Sequence, residues 1–227
     1  TKQREFYETL RAYYQAKIRK IVEERGVERS QIQILEALLR LRQACCDPRL
    51  IKHGDKSGSV KLEELARMLS ELIGEGHKVL VFSQFTSMIE LIEKELDKAK
   101  LPYQTLTGQT KTSERTRLME QFQESKKPII FLLSLKAGGV GVNLTAASYV
   151  IHFDPWWNPA AENQATDRAH RIGQTKAVSV YKLIVENSIE EKVLELQKKK
   201  RDLIERVITG EKMGKKITKE DLEYLLE

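Results

Sequence analysis

From residue 61 onward, short apolar runs alternate with amphipathic stretches. Val79–Phe82 (VLVF) and Ile129–Leu133 (IIFLL) are continuous apolar runs of strand length and Tyr149–Phe153 (YVIHF) is a third broken only by His152, as expected for strands buried on both faces. Tyr103–Leu106 and Val178–Val185 predict two more strands. Leu62–Ile73, Ser113–Phe122 and the stretches from Thr86 to about Lys98 and from Pro159 to about Arg171 carry helical spacing. Thr86 and Asn158 are read as N-caps, with Pro159 at a first helical position. Ser188 and Glu191 form a capping box ahead of a long charged helix. Strands alternating with helices predict an α/β fold, a parallel sheet with helices on both faces joined by right-handed crossovers.

The first 52 residues read differently. They predict helices only, with Ser30 and Gln33 as a capping box, apolar positions at Ile34, Leu35, Leu38, Leu39 and Leu41, and a stop at Asp47-Pro48. Residues 53–60 (HGDKSGSV) are polar and Gly/Ser-rich, the pattern of a linker. The expected organisation is a helical segment at 1–52, a linker at 53–60, an α/β lobe at 61–210 and a tail at 211–227, where Thr218 caps a short helix over Ile217–Leu226. The chain has 227 residues, 41% hydrophobic and 32% charged, which suits a globular core and argues against general disorder. No apolar run approaches the roughly 18–20 residues needed to span a bilayer, so no membrane partner is expected. The first residue is not Met, consistent with a piece of a longer protein.

Charge adds a weak pointer. Lys and Arg number 39 against 33 Asp and Glu, a net charge of +6, which leans toward an anionic partner. Glu and Lys dominate while Asp is sparse, a composition shared by thermophile and helix-rich proteins. The only cysteines, Cys45 and Cys46, are adjacent and suit a reducing interior. The four histidines are scattered without metal-ligand spacing, so no metal ligands are assigned.

In open α/β sheets, ligands gather outside the carboxyl ends of the strands. The loop Ser134–Asn143 (SLKAGGVGVN) follows a buried strand, and its glycines serve either a tight turn or a close backbone approach to a phosphate. It is neither a dinucleotide fingerprint, since Leu144 stands where a third Gly belongs, nor a P-loop, since no Lys-Ser/Thr follows. Gly210–Lys216 is too short for a P-loop and lacks the hydroxyl, and no strand ends in a paired Asp-Glu able to hold Mg²⁺. The chain therefore carries no complete ATP site of its own. On a continuous helix over Asn158–Gln174, Gln164, Arg168 and Arg171 share one face. That face is either an ordinary solvated surface or a phosphate clamp, to which the planar, permanently charged guanidinium is suited.

These segments together resemble the C-terminal RecA-like lobe of the Swi/Snf family, helicase-like DNA-dependent ATPases of superfamily two. The resemblance runs in order from about Leu38 to Glu191. It rests on LLRLRQACCDPRL (38–50), KVLVFSQFTSM (78–88), LTGQTKTSERTRLMEQF (106–122), FLLSLKAGGVGVNLTAASYVIHFDPWWNP (131–159) and QATDRAHRIGQT (164–175), the last two being the most specific. It implies that Arg168 and Arg171 are arginine fingers for the γ-phosphate of ATP bound with Mg²⁺ on an N-terminal lobe, with Gln164 supporting the same cleft. It implies that Gly139, Gly141 and Asn143 lie near the nucleotide. It also implies contacts to double-stranded DNA from Ser83, Gln84, Thr107, Gly108, Gln109, Thr110, Ser134, Lys136, Trp157 and Asn158. Adjacent Trp156 and Trp157 read as one core ring and one functional ring. LTGQT departs from the commoner Leu-Asp-Gly-Ser-Thr, which puts the detail of that contact in question.

The function implied is the second motor lobe of an ATP-dependent duplex-DNA translocase or chromatin remodeller, DNA-associated inside the cell and inactive as this lobe alone. Its implied partners are duplex DNA, the N-terminal lobe and chromatin or other DNA-bound protein. Two alternatives stand beside it. A strand-separating DNA or RNA helicase is distinguished by which nucleic acid stimulates hydrolysis, and a non-catalytic docking module by indifference to loss of both arginines.

Overall fold

The computed structural model describes residues 1–52, 58–134, 144–157, 159–169, 177–199 and 224. The expectations for the linker at 53–57, for Lys136, Gly139, Gly141, Asn143, Asn158 and Arg171, and for the tail helix other than Tyr224 lie outside these residues. Two compact units are present. One is the sheet unit Lys61–Leu183, and the other combines Thr1–Val60 with the described residues from Ile184 on.

The sheet unit has five parallel strands: β1 (Lys78–Ser83), β2 (Tyr103–Leu106), β3 (Ile129–Ser134), β4 (Tyr149–His152) and β5 (Ser179–Lys182). Their order is β2-β3-β1-β4-β5. Register is continuous across the centre, with Val79 beside Ile130 and Tyr149, and Phe82 beside Leu133 and His152. The ladder runs one residue past β4, since the Phe153 N–H donates to the Phe82 carbonyl at 2.9 Å. β5 is shorter than the expected Val178–Val185.

Because strand side chains alternate between faces, the apolar runs supply two cores at once. Leu80, Phe82, Phe131, Leu133 and Val150 turn to one face. There they pack with Phe122 of α5 (Thr112–Glu124), with Leu144 and Ala147, and with Ala165 of α6 (Pro159–Thr166). Val79, Val81, Ile130, Leu132 and Ile151 are equally buried and turn the other way. The β1-to-β2 crossover carries α4 (Thr86–Ala99) onto that face, where Met88, Ile89, Ile92 and Leu96 are buried. An earlier helix, α3 (Val60–Gly74), buries Leu62, Leu65, Leu69 and Leu72 at helical spacing.

In the second unit, α1 (Lys2–Arg29) bends at Gly26, whose φ of 75° and ψ of 164° are readily adopted only by glycine. α2 (Gln31–Cys46) ends at Asp47, whose carboxylate accepts the Arg49 N–H ahead of a 3-10 turn at Pro48–Leu50. Buried Gln3 donates to the buried carbonyls in the last turn of α2, Ala44 at 3.0 Å and Cys45 at 3.2 Å, and accepts the Val60 N–H. The Tyr7 hydroxyl accepts the Ile189 N–H at the start of α7 (Ile189–Lys199).

Three expected caps form differently. Ser30 does not cap α2; its hydroxyl donates back to the Gly26 carbonyl at 2.7 Å, because the kink leaves that acceptor open. Thr86 is the first residue of α4 rather than its cap. Phe85 holds that place, its N–H donating to Ser83 Oγ. The Ser188–Glu191 pair forms with a shift: Ser188 Oγ accepts from Glu190 N–H, and the Glu191 carboxylate accepts from Asn187 N–H.

Candidate nucleic-acid and nucleotide interface

The connection leaving β1 crosses to the α4 face, whereas the one leaving β4 crosses to the α6 face. Their loops therefore diverge at the carboxyl edge of the sheet, the place where open α/β sheets hold ligands. Ser83, Gln84, Trp156 and Trp157 all lie at this point.

The loops are joined there by Asp154, a residue to which the sequence assigned no role. Its carboxylate is 1% exposed. It accepts the Ser83 hydroxyl at 2.5 Å, the Gln84 N–H at 3.3 Å and the Gln84 side-chain amide. The Ser83 hydroxyl, expected to face a nucleic acid, is turned inward to this carboxylate and is buried. Gln84 is half-buried. Asp154 and Ser83 are 71 residues apart in the chain, so no local pattern announces the pair.

Beyond Asp154 the strap is held again. The Trp156 N–H donates to Glu162 Oε1 of α6 at 2.7 Å, and the Trp156 ring packs on the apolar core. Glu162 is itself 1% exposed and pairs with Lys182 of β5. Trp157 is half-buried. Trp156 is thus the core ring of the pair.

Beneath the strap, His152 lies against Phe82 with ring centroids 5.5 Å apart, and its Nε2 meets the Thr166 hydroxyl at 3.0 Å. Burial holds its pKa below the ordinary 6.5; the neighbouring charges of Glu162 and Asp154 oppose that shift and Lys182 adds to it.

A second group of expected contacts forms the turn after β2. The Thr110 N–H donates to the Thr107 carbonyl, the Thr107 N–H to Thr110 Oγ1 and the Gln109 N–H to Thr107 Oγ1. Gly108 and Gln109 are exposed. Arg115 of α5, quoted in the motif but given no role, grips the turn from behind. It donates to the carbonyls of Thr110 at 2.7 Å, Gly108 at 2.9 Å and Thr107 at 3.4 Å. With these carbonyls engaged, the exposed tip of the turn is fixed in place.

Ser134 ends β3 and is 2% exposed. The chain re-enters the described structure at Leu144, whose N–H donates to the Arg168 carbonyl at 3.0 Å. Gln123 pins the next residues, accepting the Ala146 N–H and donating to Thr145 Oγ1, both at 3.0 Å.

The arginine helix is shorter than expected. α6 ends at Thr166, and Arg168 sits in the following turn, its N–H pointing to the Ala165 carbonyl. Gln164 is exposed while Arg168 is 7% exposed, so these two do not form a common solvent-facing stripe. The tighter turn rotates Arg168 off the four-residue row that a continued helix would have kept.

Among the described residues no cluster of His, Cys, Asp and Glu is arranged to hold a metal ion, and no helix is long and apolar enough to cross a membrane.

This five-stranded parallel sheet with helices on both faces has the architecture of a RecA-like helicase lobe. Residues 60–173 match the model of the helicase conserved C-terminal domain. An ATP-dependent helicase of Mycoplasma pneumoniae is 40% identical over 201 residues, which is 88% of this chain and 19% of that protein. The human chromatin-remodelling ATPase INO80 is 47% identical over 152 residues, 67% of this chain and 10% of that one. The Sulfolobus solfataricus SWI2/SNF2 ATPase core solved with double-stranded DNA covers 98% of this chain at 32% identity and a TM-score of 0.79, using 47% of its own length. The C-terminal domain of the same ATPase, solved alone, covers 97% of this chain and 93% of its own at 30% identity and a TM-score of 0.73. The chain belongs to the Swi2/Snf2 family and corresponds to the C-terminal lobe of its ATPase core. It spans about a fifth of the length of the bacterial relatives.

Proposed function

We propose that this chain is the second motor lobe of an ATP-dependent translocase on duplex DNA. The observation that carries the reading is the gathering of Gln84 and the Trp156-Trp157 strap at the divergence of the β1 and β4 connections, in a chain similar over nearly its whole length to an ATPase core solved with duplex DNA.

The exposed tip at Gly108 and Gln109, together with the edge formed by Gln84 and Trp157, grips DNA phosphates without reading sequence, so binding weakens steeply with salt. Thr107, Thr110, Ser134, Lys136 and Asn158 belong to the same track. ATP with Mg²⁺ is held by an N-terminal lobe of the same protein. Gly139, Gly141 and Asn143 border the nucleotide, and Gln164 supports the cleft. Arg168 and Arg171 bring positive charge to the phosphoryl group as negative charge spreads over it, so they act when the two lobes close. Cycles of closing and opening move the lobe along one strand.

In the complete polypeptide, Arg171→Ala is expected to abolish turnover while sparing most ATP binding, with duplex DNA the best stimulator of the unaltered protein. Vigorous ATP hydrolysis by the 227-residue chain alone would contradict the reading. Stimulation by single-stranded DNA or RNA in preference to duplex would move it to a strand-separating helicase.

The burial of Arg168 favours a variant of this reading, in which Arg168 holds the segment that starts at Leu144 and Arg171 alone reaches phosphate. Arg168→Ala would then raise the ATP concentration needed for half-maximal rate, whereas Arg171→Ala would remove the rate itself.

A further inference from the structure

We infer that Asp154 is a positioning residue that locks the tryptophan strap to the end of β1, making the DNA-facing edge a preformed surface. The inference rests on the reading of this edge as the DNA interface.

A buried carboxylate is costly unless it is well supplied with donors. Asp154 has the Ser83 hydroxyl, the Gln84 N–H and the Gln84 side-chain amide, all from the loop on the neighbouring strand. Ser83 is fixed in turn, since its oxygen accepts the Phe85 N–H at 3.2 Å. The strap is anchored a second time two residues later, where the Trp156 N–H meets Glu162. Two connections that leave the sheet toward opposite faces would otherwise move independently. With Asp154 between them, Gln84 and the strap form one body. DNA then meets an ordered edge, and the entropy of ordering it is not taken from the binding energy.

Two readouts test this. The first uses the chain itself, because both of its tryptophans, Trp156 and Trp157, lie in the strap. In Asp154→Ala, acrylamide quenching of tryptophan emission is expected to rise about twofold at temperatures well below unfolding, as the strap loosens. Asp154→Asn keeps an acceptor for Ser83 and the Gln84 N–H, and the Gln84 amide can turn to accept from it, so its quenching stays at the wild-type level.

The second uses the complete polypeptide. Asp154→Ala is expected to raise the duplex-DNA concentration for half-maximal ATPase stimulation about tenfold, equivalent to about 1.4 kcal/mol. The rates without DNA and at saturating DNA should stay within about twofold of wild type, since no group at the phosphates has changed. If Asp154→Ala does not fold, Ser83→Ala decides: among the described residues its buried hydroxyl reaches only Asp154 and the neighbouring backbone, and its loss should raise the same concentration about threefold.

An unchanged half-maximal concentration in a DNA-stimulated protein overturns the inference alone. So does an equal fall in the rates without DNA and at saturating DNA, which marks a purely structural role. Wild-type hydrolysis indifferent to DNA overturns the proposed function, and the inference falls with it.

Discussion

Replacing Arg115 by Ala removes a side chain that holds the exposed turn after β2 from behind. Its guanidinium makes two close contacts, at 2.7 and 2.9 Å, and a third at 3.4 Å. A hydrogen bond to a charged group is worth roughly 1.5–3 kcal/mol net. Arg115 is only half-buried and the freed carbonyls can reach water, so each close contact falls nearer 1 kcal/mol and the longer one contributes little. The expected loss is about 2 kcal/mol. Arg115→Lys recovers about half of it, since an ammonium cannot reproduce the planar fork. Urea unfolding followed by tryptophan emission measures this, because both tryptophans lie in the sheet unit. With a urea slope of roughly 1–3 kcal/mol/M, the midpoint should drop by about 1 M. A loss below about 0.5 kcal/mol, or a lysine variant as stable as the original, would refute the argument that this fork holds the turn.

Three further outcomes follow from other parts of the molecule. Burial lowers the pKa of His152, so the unfolded chain binds its proton more tightly than the folded one. Stability is therefore whole above pH 6.5 and falls as pH drops below it, by at most about 1.4 kcal/mol per unit until the folded imidazole also titrates; His152→Asn should flatten that slope in pH-dependent urea titrations. Gly26→Ala should destabilise the helical unit by about 1–3 kcal/mol, because its backbone is strained for any side chain even though the space is open. Gly108→Ala also enters open space, without that strain, and should shift stability by less than about 0.5 kcal/mol; circular dichroism during denaturation compares the two. Glu162→Leu leaves the Trp156 N–H without its acceptor and should cost about 2–4 kcal/mol, whereas Glu162→Gln, which keeps an acceptor oxygen, should cost about half as much in the same titration.

Much of the sheet was legible because its signal is local. VLVF and IIFLL are apolar at every position and YVIHF at every position but His152, and only a strand covered on both faces demands that. Helix spacing placed α3, α4 and α5 equally well. The caps failed where a short polar side chain had a nearer partner than the helix it precedes. Ser30 donates back to a kink, and Ser83 displaces Thr86 by supporting Phe85. The end of α6 failed because nothing in ENQATDR breaks a helix; the turn there is imposed by packing against Leu144 and the core. At the site, the resemblance to the Swi/Snf family drew attention to Ser83, Gln84 and Trp157, but Asp154, Glu162 and Arg115 escaped it. Each acts on a loop from another strand or helix, and such a pairing has no period along the chain.

The strand order also bears on synthesis. β1 is the central strand, yet its neighbours are made later: Val79 waits 51 residues for Ile130 and 70 for Tyr149. A nascent chain that has emerged only as far as α5 presents a fully apolar ribbon with both edges unpaired. Such a ribbon is a template for wrong pairing until β3 and β4 arrive on either side. Ribosomal pausing between residues 83 and 129 should therefore lower the yield of soluble protein more than pausing after residue 152.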